Sequence, residues 1–258
     1  MAFFRTHFFS DALGVCTRAN VILPDRPDPD RPLPALYLLH GLSDDETIWM
    51  RRTSLELFAG PFNLAIVMPD GGRSFYSNLR TGQRFFDYVA DELPSLMERW
   101  FRLDARREGR FIAGLSMGGY GALKLALSRP DRYAAAAGLS SVCDIRWIRG
   151  NSAIWETLVP PGEAEPPPAL DLFPLAERVA ALTAAERPAL FQYCGTDDFL
   201  WKDNLRFREH LRAIGLDARW EEGPGGHSWE NWNERIQHVL AWLPLGGGAA
   251  GRTGAIGI

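Results

Sequence analysis

Apolar runs of strand length alternate along the chain with segments of helical spacing, and that rhythm predicts an α/β sheet. Residues 3–10 and 15–23, joined by a turn at 11–14, read as an opening hairpin. The proline-rich stretch 24–32 reads as a rigid polar loop, because proline lacks the donor that strands and helices use. Residues 35–39 and 64–68 are almost continuously apolar, as in strands covered on both faces. Helical spacing follows over 85–101, with Val89, Leu93, Leu96, Met97 and Trp100 as an apolar stripe. Further strands are predicted at 110–114, 133–139, 189–194 and 217–221, and helices at 120–127, 201–214 and 229–243.

The rhythm breaks over 140–185, which holds Trp147, Trp155, three consecutive prolines at 166–168 and one predicted helix near 175–182. An excursion of that length inside a compact domain reads as a lid-like insertion. The pattern therefore gives one domain over 1–245, a mostly parallel sheet with helices on both faces, and a flexible glycine-rich tail over 246–258.

Composition narrows the classes of function. Of 258 residues, 46% are hydrophobic and 23% charged, and 28 basic against 32 acidic residues leave a net charge of −4. No basic field is present to gather nucleic acid or an anionic membrane, so neither is expected as a partner. The apolar runs stop far short of the ~20 residues that span a bilayer. The N-terminus lacks a basic start followed by an apolar core, so no signal peptide is expected. Cys16, Cys143 and Cys194 form no close pair and read as reduced thiols of a cytoplasmic protein. No cluster of His, Cys and carboxylates has metal-ligand spacing, so neither metal nor cofactor is expected.

The strongest chemical signal is Gly114-Leu115-Ser116-Met117-Gly118, a G-x-S-x-G pattern between a predicted strand and a predicted helix. A serine on so sharp a turn sits on strained backbone, and flanking side chains would clash there. The following helix aims unpaired N–H groups at developing negative charge. A serine hydroxyl needs a base, and five histidines compete. His7, His210 and His238 lie within predicted strands or helices, and His40 ends a buried strand. His227 stands in the glycine-rich loop after the last strand and fits the chain order Ser, acid, His of α/β-hydrolases. The acid should follow the strand over 189–194, where Asp197 and Asp198 are adjacent, and the pattern does not separate them. Two N–H donors for an oxyanion are expected, from Met117 and from Leu42 beside Gly41.

These segments resemble one family. Leu38-Leu39-His40-Gly41, the block from Phe111 to Gly121, and Gly226-His227-Ser228-Trp229 are similar to the esterase D, or "putative esterase", family, and most to its bacterial tributyrin esterases. The resemblance implies an α/β-hydrolase fold and a serine carboxylesterase acting on small ester substrates. It implies Ser116 as nucleophile, His227 as base, and Leu42 and Met117 as oxyanion donors. It selects Asp198, which precedes Phe199 in a Gly-x-x-Asp-Phe segment. The family also includes feruloyl and acetyl esterases and S-formylglutathione hydrolases. The last would favour a basic mouth, for which Arg73, Arg80 and Arg84 are candidates. Trp49, Tyr76, Phe199 and Trp229 are expected to crowd the pocket and limit it to acyl chains of roughly two to four carbons, since each excluded methylene forfeits about 0.8 kcal/mol of burial. Beyond the substrate, a second copy of the chain is the remaining partner this reading admits.

Overall fold

The computed structural model describes residues 1–245; the predicted tail at 246–258 lies outside the described residues. Eight strands form one sheet: β1 (Ala2–Ser10), β2 (Val15–Leu23), β3 (Ala35–Leu39), β4 (Ala65–Pro69), β5 (Arg110–Leu115), β6 (Ala135–Leu139), β7 (Ala189–Gly195) and β8 (Ala218–Gly223). Their order is β1-β2-β4-β3-β5-β6-β7-β8. The β1–β2 and β2–β4 pairings are antiparallel and the others parallel. This is the mostly parallel α/β sheet that the apolar rhythm predicts, in the α/β-hydrolase-like arrangement that the family resemblance implies.

Alternation along the central strands splits the core into two layers. Tyr37 and Leu39 of β3 face one apolar cluster, and Leu36 and Leu38 face the other. Helices α1 (Ile48–Arg52), α2 (Leu55–Ala59) and α9 (Trp229–Trp242) cover the Leu36 side. Helices α4 (Leu93–Phe101), α5 (Met117–Ser128), α7 (Leu172–Ala180) and α8 (Trp201–Ala213) cover the other. The pattern did not reveal the one-turn helices α1 and α2, which are too short to show a period. No helix among the described residues is long and apolar enough to cross a membrane.

Two details depart from the expected pattern. The helix expected over 85–101 is interrupted: a short α3 (Phe85–Asp87) passes through a π-turn over Tyr88–Glu92 before α4. Pro94 supplies the reason, since its ring lacks an N–H and crowds the carbonyl four residues earlier. Trp100, expected in the buried stripe, is exposed and packs edge-on against Phe8 at 5.4 Å, because α4 overhangs the outermost strand.

The segment 140–185 folds into short 3₁₀ turns, α6 (Ser152–Leu158) and α7. Arg146 ties it together by ion pairs with Asp144 (3.0 Å), Glu165 (2.6 Å) and Asp171 (2.9 Å). Tyr120 on α5 donates to the Leu170 carbonyl at 2.7 Å. The segment thus lies over α5 while its first turn carries Trp147 to the carboxyl ends of the strands.

Candidate active site

Ser116 sits at the junction of β5 and α5 with φ 53° and ψ −116°. Such a conformation costs a non-glycine residue roughly 1–3 kcal/mol and persists only where surrounding contacts impose it. Here the Ser116 N–H donates to Leu139 O (2.8 Å), and the Ser116 carbonyl accepts from the N–H groups of Tyr120 (3.0 Å) and Val142 (3.3 Å). The flanking glycines allow the turn to press against β3. A Cβ on Gly118 would lie 2.5 Å from the Leu39 carbonyl oxygen, and one on Gly114 would lie 2.4 Å from the Gly118 backbone.

The β8–α9 loop brings His227 across the end of the sheet. His227 Nε2 lies 3.0 Å from Ser116 Oγ. Its Nδ1 lies 2.9 Å from Asp198 Oδ2 and 3.1 Å from Asp198 Oδ1. With Nδ1–H donating to the carboxylate, Nε2 is left to accept the serine proton. The Asp198 side chain is wholly buried, and the Leu200 N–H donates to its Oδ1 at 2.8 Å. Burial alone would push this carboxyl up. The hydrogen bonds from His227 and Leu200 outweigh that and hold it below the usual carboxylate value.

Asp197 faces elsewhere: its Oδ2 accepts from the Gly225 N–H at 2.9 Å. The adjacent carboxylates, inseparable by pattern, therefore contact different groups. Asp198 meets the imidazole, and Asp197 pins the loop that carries it. Asn231 Nδ2 also pins that loop, donating to the Gly226 carbonyl at 2.7 Å.

His40 is buried and committed to structure. It contacts Gly41 O through Nδ1 at 2.7 Å and accepts the Gly71 N–H at Nε2 at 2.8 Å. That pairing fixes the neutral ring, and burial lowers its pKa below the ordinary 6.5. His40 thereby joins the loop after β3 to the loop after β4. Leu42 on the first of these loops and Met117 at the start of α5 border the same cleft as Ser116. Among the described residues, no protein acceptor takes the N–H of either one. The pair stands beside Ser116 with two donors unengaged.

The cleft has a volume of about 340 Å³. Of the four rings expected to crowd it, Phe199 and Trp229 do line it. Trp49 and Tyr76 do not, and this corrects the expectation: both are buried in the core. Trp49 donates its indole N–H to Leu39 O at 3.0 Å and stands edge-on behind Trp229 at 5.3 Å. Tyr76 donates its hydroxyl to His40 O at 2.9 Å. A strand end with open carbonyls recruits the donor-bearing rings inward.

Sequence reasoning missed Phe75, Val142, Trp147 and Trp232, which complete the wall. None of them carries a local motif, and only the excursion over 140–185 pointed toward Trp147. Rings surround His227: Phe199 at 4.5 Å, and Trp232 edge-on at 4.8 Å. Phe75 lies on a left-handed turn (φ 50°), and buried Lys124 on α5 donates to its carbonyl at 3.1 Å. Burial pushes the Lys124 ammonium well below its usual range. Among the residues that line the cleft, the one acid is Asp44, whose carboxyl is pushed up by burial, and no Lys or Arg is present. Arg73, Arg80 and Arg84 are not part of its wall. Arg80 donates to the Glu156 carbonyl, and Arg84 pairs with Asp87.

A wider groove of about 810 Å³ involves Pro34, Asp104 and Gly109, which precede β3 and β5. It therefore opens at the amino ends of the parallel strands, opposite the serine, whereas ligands of open α/β sheets bind at the carboxyl ends.

The family model described as "Putative esterase" matches residues 10–243. An acetyl esterase of Caldicellulosiruptor saccharolyticus is 30% identical over 94% of this chain and 98% of its own length. Among solved structures, the substrate-bound fluorophosphonate-binding serine hydrolase F of Staphylococcus aureus superposes with a TM-score of 0.84 at 34% identity. The match covers 94% of this chain and 98% of that one. The S-formylglutathione hydrolase FrmB of Staphylococcus aureus gives a TM-score of 0.82 at 33% identity, with the same coverage.

Proposed function

The chain belongs to the "Putative esterase" family and is a carboxylic ester hydrolase, and from that premise we propose that it is a serine esterase in which Ser116, His227 and Asp198 act as a triad on short-chain acyl esters. The observation that carries this reading is the unbroken path from Ser116 Oγ through the imidazole to a buried, ionised Asp198.

Ser116 Oγ attacks the ester carbonyl while His227 Nε2 takes its proton. Asp198 holds the ring in the required tautomer and stabilises the imidazolium. The N–H groups of Leu42 and Met117 stabilise the oxyanion. The tetrahedral intermediate collapses, the C–O bond to the alcohol breaks, and His227 gives the alcohol its proton. Water, deprotonated by the same imidazole, attacks the acyl-enzyme. The second tetrahedral intermediate collapses with cleavage of the acyl bond to Ser116 Oγ, His227 returns its proton to that oxygen, and the acid is released.

The acyl group is short, of roughly two to four carbons. A cleft of about 340 Å³ must hold both sides of the ester, and Phe75, Trp229 and Trp232 wall it in. Similarity to an acetyl esterase supports the same range. One solved relative is an S-formylglutathione hydrolase, but the wall of this cleft offers no cation to the carboxylates of glutathione, so oxygen esters are the preferred reading.

The test is p-nitrophenyl esters from acetate to decanoate, with methyl ferulate and S-formylglutathione alongside, on the wild type and on Ser116→Ala. The expected result is a kcat/KM maximum at or below butyrate, and a loss of several orders of magnitude together with fluorophosphonate labelling in Ser116→Ala. Near-normal activity in Ser116→Ala rejects the nucleophile. A maximum at octanoate or beyond, or better turnover of ferulate or the thioester, rejects the short-acyl reading.

A further inference from the structure

The two edges of the sheet are finished differently. At one edge β8 carries Arg219, Glu221 and Glu222, charges of the kind that keep an exposed strand from pairing with another chain. At the other edge, β1 runs nine residues, pairs with β2 in unbroken register, and contains no Pro, Gly or Lys. Its outer side meets no strand among the described residues. Four of its nine residues are phenylalanine. Phe4 and Phe8 share one face with Phe101 and Trp100 of α4. Phe3 and Phe9 lie on the opposite face and are 45% and 58% exposed.

The order of these residues is symmetric. Ala2-Phe3-Phe4-Arg5-Thr6-His7-Phe8-Phe9-Ser10 reads nearly the same in both directions about Thr6. We propose that β1 pairs antiparallel with β1 of a second copy about a two-fold axis at Thr6, joining two sheets into one. In that register Phe4 opposes Phe8 of the partner subunit and Phe3 opposes Phe9 of the partner subunit. All four rings then meet rings, on both faces. Arg5 opposes the partner's His7, an imidazole rather than a second guanidinium. A slip by two residues sets Arg5 against the partner's Arg5, or His7 against the partner's His7, and separates every Phe pair. The register is thus specified by the sequence, as an isologous contact requires.

The area fits. The exposed parts of Phe3, Phe4, Phe9 and Trp100 come to on the order of 400 Å² per copy. That is about half of the ~800 Å² per partner of a standard interface. The strand backbone, Arg5 and His7 lie between those rings and extend the contact. The edge stands beyond β2 and β4, away from the cleft, so both copies keep open sites.

The test is sedimentation equilibrium of the full chain at about 10 μM, with butyrate-ester turnover as the check on folding. The wild type is expected at twice the chain mass of 28.8 kDa. Phe9→Glu alone should weaken the dimer by about 100-fold or more, because each substitution counts twice across a two-fold axis. Phe3→Arg/Phe9→Glu should restore it, because an Arg–Glu pair then replaces each opposed ring pair. Turnover should stay near wild type throughout. A monomeric wild type overturns the proposal, including one that instead binds phospholipid vesicles. A dimer indifferent to Phe9→Glu, or not restored in the double variant, also overturns it.

Discussion

At the floor of the cleft, Gly114 to Met117 have almost no freedom: Ser116 is bent into a left-handed turn, and a single added methyl group on Gly114 or Gly118 would strike backbone. At the rim, Trp147 and Phe199 stack 5.5 Å apart with 50% and 62% of their surfaces in water. The floor is held by backbone packed on backbone, where displacement is costly. The rim is held by ring contacts worth only ~0.5–1.5 kcal/mol apiece beyond burial. The difference points to a division of labour. Chemistry that tolerates little misplacement is mounted on the sheet, and selection among esters is left to side chains that can change without loss of the fold.

Substitutions probe this division, in descending order of effect. Asp198→Asn should slow turnover by about 10⁴-fold, because it removes the buried acceptor that fixes the His227 tautomer. Asp197→Asn should cost less than about tenfold, since its carboxylate holds only the Gly225 N–H. Steady-state kinetics of the two purified variants decides, and a larger loss in Asp197→Asn reverses the assignment.

Gly118→Ala should cost about 3 kcal/mol or more of stability, because its Cβ would lie 2.5 Å from the Leu39 carbonyl oxygen. In a chain of this size that amounts to a drop in Tm on the order of 10 °C. Calorimetry that finds an unchanged Tm would show that the floor is softer than its contacts imply.

Phe199→Ala should change kcat/KM for butyrate esters by only a few-fold, mainly through KM, with the fold intact. Turnover slowed by several orders of magnitude would place this ring in the chemistry rather than at the rim. That outcome would erase the distinction between the two regions, since Phe199 also lies 4.5 Å from His227.

Much of the molecule is legible in its amino-acid order. Strands at 35–39, 64–68 and 110–114 are visible because a strand buried on both faces has to be apolar at nearly every position. The serine is visible because its turn demands small flanking residues at fixed spacing, and a demand of that kind is written locally. Other features leave no such mark. The π-turn at Tyr88–Glu92 follows from how Pro94 is accommodated, and helical spacing alone does not report it.

The apolar rhythm by itself determined the sheet and its two covering layers, and the glycines at 114 and 118 marked the one sharp turn between strand and helix. Those follow from short-range rules of period, steric room and turn chemistry. Only the tertiary structure decided which of four rings faces the cleft, and only it gives the physical reason for the acid that the family resemblance selects: Asp198, not Asp197, meets His227. Hydrophobic periodicity and turn chemistry do not separate Asp197 from Asp198. What separates them is the direction each side chain takes once Gly225, 28 residues away, packs beside one of them. Trp49 and Trp229 are likewise equivalent as indoles, and the open carbonyl of Leu39 draws the first into the core while the second is left at the wall. Such choices are made by groups distant in the chain and adjacent in space, so the pattern along the chain cannot express them.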